Sequence, residues 1–256
     1  MSRVDAAFYQ GRKIWIIGAS SGIGRALAIE LAARGAHVIA SARNTEALLA
    51  LSNSSDRIDS LPLDVTQDGS LSSVIGEMND SHNLPDTILF VAAYYKPGSI
   101  HLIEDLDLRA TITVNLWAAI ELARLAMPLF YERKTGQIAL VASVAGYRGL
   151  PAGQPYSATK AALINFAESL YLEAKPKGVD VKLINPGFVE TPMTDKNEFT
   201  MPDIISTEKA AIYIADGLSG NKFEIHFPKR FTRKLKLLRL LPYGAFLRLA
   251  GKMKPN

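Results

Sequence analysis

Short apolar runs alternate with longer stretches of helical periodicity along most of this chain. The first run, KIWII from Lys13 to Ile17, has no polar alternation, as expected of a strand covered on both faces. A Gly-rich turn follows, then apolar residues spaced three and four apart as far as Gly35, which reads as an amphipathic helix with a glycine stop. A second run, HVIAS, completes a βαβ unit. Further strands are predicted in IDSLPLDV, DTILFVAAYY, QIALVAS, VDVKLINPG and KFEIHFP. Helices are predicted in SLSSVIGEMND, in the long segment DLRATITVNLWAAIELARLAMPLFYERK, in ATKAALINFAESLYLEA and in ISTEKAAIYIADGLSG. Alternation of this kind, without repeats or a linker, predicts an α/β fold: one doubly wound parallel sheet with helices on both faces. The polar, Met-containing stretch TDKNEFTMPDIIS breaks the pattern and is expected to form a mobile lid.

Composition narrows the class. A chain of 256 residues, 48% hydrophobic, suits one α/β domain with a single large core. It has no cysteine, which excludes disulfides, thiolate nucleophiles and cysteine metal sites, and fits a cytoplasmic protein. The four histidines, His37, His82, His101 and His226, are scattered, so no metal is expected. The opening MSRVDAAFYQGRK lacks the apolar segment of a secretory signal, and no run of about eighteen uncharged apolar residues occurs.

Charge separates the tail from the rest. Nine basic residues (Lys229, Arg230, Arg233, Lys234, Lys236, Arg239, Arg248, Lys252, Lys254) and no acidic one lie between Ile225 and Asn256. Of 29 basic and 25 acidic residues, the first 224 positions therefore hold 20 and 25, a net of −5, and nucleic-acid binding by the domain is not expected. The organisation read from this is a domain over 1–228 and a basic amphipathic extension over 229–256. Leucines and phenylalanines interleave with the basic residues there in two short segments broken by Pro242 and Gly244. That pattern suits a membrane-surface element, a cap over a lipophilic pocket, or a packing helix with a solvated basic face.

The candidate chemistry centres on Ser143, Tyr156 and Lys160. Tyr-x-x-x-Lys puts both side chains on one helix face, and a cation there stabilises tyrosinate. The spacing occurs three times, at Tyr9 with Lys13, Tyr156 with Lys160, and Tyr171 with Lys175. Only Tyr156 follows a buried-type strand and a Gly/Pro-rich loop, which carry it to the carboxyl edge of the sheet, where ligands bind in open α/β folds. The glycines Gly18, Gly22 and Gly24, spaced G-x-x-x-G-x-G between strand and helix, let backbone amides approach a pyrophosphate, with Ser20 and Ser21 as hydroxyl donors. Arg43 stands where an NAD site usually has an acidic residue, so NADP is expected ahead of NAD. Gly187 allows close backbone approach to a ligand and Pro186 stiffens its turn. Asn115 falls within a predicted helix among apolar residues, as a core amide or a site residue.

With GASSGIG at 18–24, Asp64-Val65, VNL around Asn115, Ser143, YSATK at 156–160 and NPGFVETP at 185–192 in this order, the sequence resembles the short-chain dehydrogenase/reductases over residues 11–228. The resemblance implies a Rossmann-like fold and an NAD(P)-dependent oxidoreductase of a carbonyl or hydroxyl compound, commonly a homodimer or homotetramer. It implies Tyr156 as general acid/base and Lys160 as the residue that lowers its pKa and binds the nicotinamide ribose. Ser143 would hydrogen-bond the substrate oxygen, and Asn115 would hold a water in the proton relay. It further implies cofactor contacts at Gly18, Ser20, Ser21, Gly22, Ile23 and Gly24, at Asp64, Val65 and Ala92, and at Pro186, Gly187, Val189 and Thr191. Two positions depart from the pattern: Ile17 replaces the family's Thr, and Val91-Ala92-Ala93 replaces Asn-Ala-Gly. The alternative reading is a non-catalytic NADP-sensing protein, or a peripheral membrane protein that keeps the fold.

Overall fold

The computed structural model describes residues 7–151, 153–197 and 199–252, so the start of the polar N-terminal stretch and the end of the basic tail, with Lys254, lie outside the described residues. The domain opens with strand β1 (Lys13–Ile17), helix α1 (Gly22–Ala33) and strand β2 (His37–Ser41). Helix α2 (Thr45–Ser52), β3 (Ile58–Ser60), α3 (Ser70–Asp80) and β4 (Thr87–Phe90) follow. Next come α4 (Asp105–Ile112), a π-helical turn (Thr113–Trp117), α5 (Ala118–Arg133), β5 (Gln137–Val141), α6 (Tyr156–Ala174) and β6 (Asp180–Pro186). The chain closes with α7 (Thr207–Leu218), β7 (Glu224–Phe227), α8 (Lys229–Arg239) and α9 (Tyr243–Ala250).

All seven strands join one sheet in the order β3-β2-β1-β4-β5-β6-β7, and every pairing is parallel. This is the Rossmann-like doubly wound sheet read from the alternation. The strand β1 shows why its sequence has no polar alternation. Trp15 and Ile17 enter the core on one face, with Phe90, Leu122 and Leu163, while Ile14 and Ile16 enter the core on the other, with Leu27, Leu31 and Ile214. Each such side chain contributes about 1.5–3 kcal/mol on burial. The polar edge of Trp15 is satisfied within the core by Nε1 donating to Ser41 Oγ at 2.9 Å.

Several boundaries differ from the sequence reading. The strand β3 stops at Ser60, because Pro62 has no N–H for the ladder, although Leu61 and Leu63 still donate to Ala40 and Ala42. Asp64 and Val65 therefore sit in the loop beyond it. The short helix α2 was not visible as a periodic segment; Asn44 caps it, its Oδ1 accepting from the Ala47 amide at 3.0 Å. The long helical segment is interrupted by the π turn at Asn115. The run Asp105–Arg133 is long and apolar enough to cross a membrane by length and composition, but Leu122, Ala126, Met127 and Phe130 bury it against the sheet. The expected lid begins with a 3-10 turn at Thr194–Lys196 and is held at its far end by the bridge between Ile205 and Val189.

Candidate active site

Between β1 and β4 the strand order reverses, and the carboxyl edge of the sheet opens there into a cleft of about 330 Å³. Its floor is the turn after β1. Gly18 adopts φ 101, and a Cβ there would come within 2.5 Å of the Ala92 backbone nitrogen, so only glycine lets the turn lie against the segment after β4. Ser20, Ser21, Gly22, Ile23 and Gly24 line the same wall. Ser21 is the N-cap of α1 yet makes no side-chain cap bond, and the first turn holds no acidic residue. The leading amides and dipole of α1 thus face the cleft and suit a phosphate.

Arg43 lines the cleft at the end of β2, exposed to solvent. Asp64 and Val65 line it from the loop after β3. One Asp64 oxygen is already engaged, accepting from the Thr66 amide at 2.9 Å and its hydroxyl at 2.7 Å. The loss of the family's asparagine at Val91 does not part β1 from β4: the Ile17 carbonyl accepts from both Val91 and Ala92 at 2.8 Å. On the far side, Pro186, Gly187, Val189 and Thr191 line the cleft after β6. The Thr194 hydroxyl fixes this wall by donating to the Val189 carbonyl at 2.6 Å.

Strand β5 delivers Ser143, whose Oγ accepts from the Ala145 amide at 3.1 Å and caps the turn Val144–Gly146. That turn lies hard against α6: a Cβ on Gly146 would come within 2.6 Å of the Lys160 carbonyl carbon. The close approach brings Ser143 beside Tyr156, the first residue of α6, near enough for its hydroxyl to act on the phenol. Lys160, one turn on, is 1% exposed and donates from Nζ to the Val141 carbonyl at 2.8 Å. Ser143, Tyr156 and Lys160 all line the cleft that holds the Gly-rich turn.

Electrostatics here differ from the simple expectation that Lys160 lowers the Tyr156 pKa. Burial pushes Tyr156 up to about 12; the hydrogen bond to Ser143 opposes this and the neighbouring Tyr95 adds to it. Burial also pushes Lys160 down to about 7. Two desolvated groups both disfavour their charged forms. The ammonium lies 5.5 Å from the Tyr156 ring centroid and directs its bond at Val141.

Asn115 does not line the cleft. It is fully buried in the π turn, where Oδ1 accepts from the Tyr94 amide at 2.6 Å and Nδ2 donates to the Tyr94 carbonyl at 2.9 Å and Thr159 Oγ1 at 3.3 Å. It is a satisfied core amide that fixes the backbone of Tyr94. The other two Tyr-x-x-x-Lys pairs lie elsewhere: the Tyr9 hydroxyl donates to Ala215 within the core, and Lys175 Nζ donates to the Tyr171 hydroxyl at 2.8 Å on the surface.

The sequence reading assigned no role in the site to Tyr94, Tyr95, Tyr147 or Glu224. Tyr94 lines the cleft and donates to Asp107 Oδ1 at 2.5 Å. Tyr95 meets the Tyr156 ring edge-on at 5.0 Å and donates to Asn197 Oδ1 at 2.8 Å. Glu224 accepts from the Tyr147 hydroxyl at 2.7 Å, from Asn185 Nδ2 at 2.8 Å and from Lys236. Only the tandem tyrosines after β4 offered a signal, as polar-tipped aromatics at the strand end.

The family model for short chain dehydrogenases matches residues 12–201. An uncharacterized oxidoreductase from Myxococcus xanthus is 31% identical over 247 residues, covering 95% of this chain and 98% of that one. The 3-oxoacyl-(acyl-carrier-protein) reductase FabG of Escherichia coli is 33% identical over 187 residues, covering 73% of this chain and 77% of its own. A solved short-chain dehydrogenase from Streptomyces avermitilis superposes with a TM-score of 0.81 at 26% identity, over 94% of this chain and 97% of that one. With a dinucleotide-type cleft at the switch point, and Ser143, Tyr156 and Lys160 along its wall, this chain belongs to the short-chain dehydrogenases, oxidoreductases that act on CH–OH and carbonyl groups with a nicotinamide cofactor.

Proposed function

We propose that this enzyme is an NADPH-dependent reductase of an apolar carbonyl compound in the cytoplasm. The observation that carries the reading is the meeting of Ser143, Tyr156 and Lys160 in the same cleft as the glycine turn and Arg43. When bound, the nicotinamide supplies the hydride to the carbonyl carbon. The Ser143 hydroxyl donates to the substrate oxygen and stabilises the charge that develops there. Tyr156 keeps its proton at neutral pH, its pKa standing at about 12, and is therefore the acid that protonates that oxygen. Lys160 holds the ribose hydroxyls and resupplies the proton at the Tyr156 oxygen. Both Nδ2 hydrogens of Asn115 are engaged within the core, which speaks against its side chain holding the relay water that the family resemblance assigns to it.

The exposed Arg43 guanidinium suits a 2′-phosphate, which supports NADP over NAD. An aromatic cluster supports an apolar substrate: Phe188, which follows the cleft-lining Gly187, meets Phe199 at 5.7 Å and Phe231 at 5.6 Å between ring centroids. A 3-oxoacyl group, named for the Escherichia coli relative, is one such carbonyl. The exposed Ile112 and Trp117 beside α5, with Leu172 on α6, support a homodimer or homotetramer built on these helices.

The test is oxidation of NADPH against a panel of aldehydes, ketones and 3-oxoacyl thioesters. Tyr156→Phe should bind NADPH normally by fluorescence titration and lose about 10²–10⁴ in kcat/KM on the best substrate. A variant that kept most of its turnover would remove Tyr156 from the acid role.

A further inference from the structure

We propose that helices α8 and α9 form a docking surface for an anionic lipid bilayer. The two helices are fixed to the domain by their inner face. Phe231 packs on Phe188, and the buried Thr232 hydroxyl pairs with His226 Nδ1 at 2.6 Å. Lys236 bonds Glu224, and Arg148 donates to the Leu241 carbonyl while lying 4.6 Å from the Phe246 ring. The two helices are therefore anchored, and their exposed residues are what they leave to a partner.

The side chains left exposed on these helices are mainly apolar or basic. Leu240 is 80% and Tyr243 74% exposed, and Leu237, Leu247 and Leu249 are exposed beside them. All five cluster about the Pro242 break. Arg230, Arg233, Lys234, Arg239, Arg248 and Lys252 are interspersed with them along the chain, each exposed. The sequence has no acidic residue after Glu224, and among the described residues the tail's ion pair joins Lys236 to Glu224. The other described cations of the tail have no ion pair with a carboxylate.

Three features choose the occupant. Exposed leucines and a tyrosine flanked by arginine and lysine match an interfacial helix that sets its apolar side chains at the acyl boundary and its cations among anionic headgroups. No residue of α8 or α9 lines either described cavity, and a peptide partner needs a groove, so the surface fits a deformable bilayer better. A second copy meeting this face across a two-fold axis would bring like charges together, which disfavours self-association there. Phe231 also links α8 through Phe188 to Phe199, and Phe188 follows Gly187, which lines the cleft. The docking itself is independent of the reductase reading.

The experiment is sedimentation of the full chain with phosphatidylcholine vesicles, with and without phosphatidylglycerol. Binding is expected only to the anionic vesicles, and it should weaken as salt is raised. Arg233→Glu with Lys234→Glu, and separately Leu240→Glu with Leu247→Glu, should each lower partitioning at least tenfold. These side chains are exposed, so NADPH fluorescence titration should match the parent and shows that the variants are folded. Equal sedimentation with neutral and anionic vesicles, or full binding by both variants, would overturn the proposal. So would a dimer in size-exclusion chromatography that the Leu240→Glu, Leu247→Glu variant splits, since the face would then belong to a second copy.

Discussion

At the scale of residues, burial governs the site more than pairing does. Spacing alone set Lys160 beside Tyr156 and suggested an ammonium that lowers the phenol. The fold instead encloses both, so Lys160 falls to about 7 while Tyr156 rises to about 12. For the lysine, the consequence for stability has a definite sign. Its folded value lies below its ordinary 10.5, so between about pH 7 and 10.5 the unfolded chain holds a proton that the native protein lacks. Stability then rises with pH through that window, by up to about 1.4 kcal/mol per unit from this group. Urea unfolding at pH 6, 8 and 9.5 should show this rise in the parent and a flatter dependence in Lys160→Met, which buries no ionisable group. Parallel curves for the two proteins would mean that the lysine is solvated in the native state.

At the scale of elements, Glu224 ties four parts of the fold together. Its carboxylate on β7 receives Tyr147 from the turn after Ser143, Asn185 from β6 and Lys236 from α8. Burial works to raise its pKa, but the bonds from Lys236, Tyr147 and Asn185 outweigh this and hold it below the ordinary carboxylate range. Glu224→Ala leaves the Tyr147 hydroxyl and the Asn185 amide without their acceptor, a loss of about 1–3 kcal/mol. The urea midpoint should fall accordingly, and a change under about 0.5 kcal/mol would show that water replaces the carboxylate at little cost. None of this network was legible in the sequence, because its members come from four separate segments and no spacing relates them. Elements with a clear period were legible: α3 runs from Ser70 to Asp80 as its apolar pattern indicates. The strand β3 was overread because LPLDV continues an apolar pattern that Pro62 cannot continue in hydrogen bonds. The π turn escaped because it adds a single residue to a helix whose apolar face continues on both sides. Pro242 marked the break between α8 and α9, but leucines on both faces hid which face the domain would cover.

At the scale of the whole molecule, the cleft runs across the sheet from Arg43 after β2, past Gly18 and Ala92 at the switch point, to Thr191 after β6. The sequence showed these walls as separate motifs in order. The topology makes them one site, because β1 and β4 are neighbours although α1, β2, α2, β3 and α3 lie between them in the chain. A dinucleotide in this cleft touches both halves of the sheet and binds only the native state, so at a hundred times its Kd it should stabilise the fold by about 2.7 kcal/mol. If Arg43 pairs with a 2′-phosphate, a charge-assisted bond of about 1.5–3 kcal/mol separates the two cofactors, or roughly 10–100-fold in affinity. Thermal unfolding should therefore shift more with NADPH than with the same concentration of NADH. Arg43→Asp should lose most of the NADPH shift and keep that of NADH, since the substitution lies at an exposed position outside the core. Equal shifts for both cofactors in the parent would show that the Arg43 guanidinium does not reach the ribose, and would leave the glycine turn and the α1 amides as the groups that hold either dinucleotide.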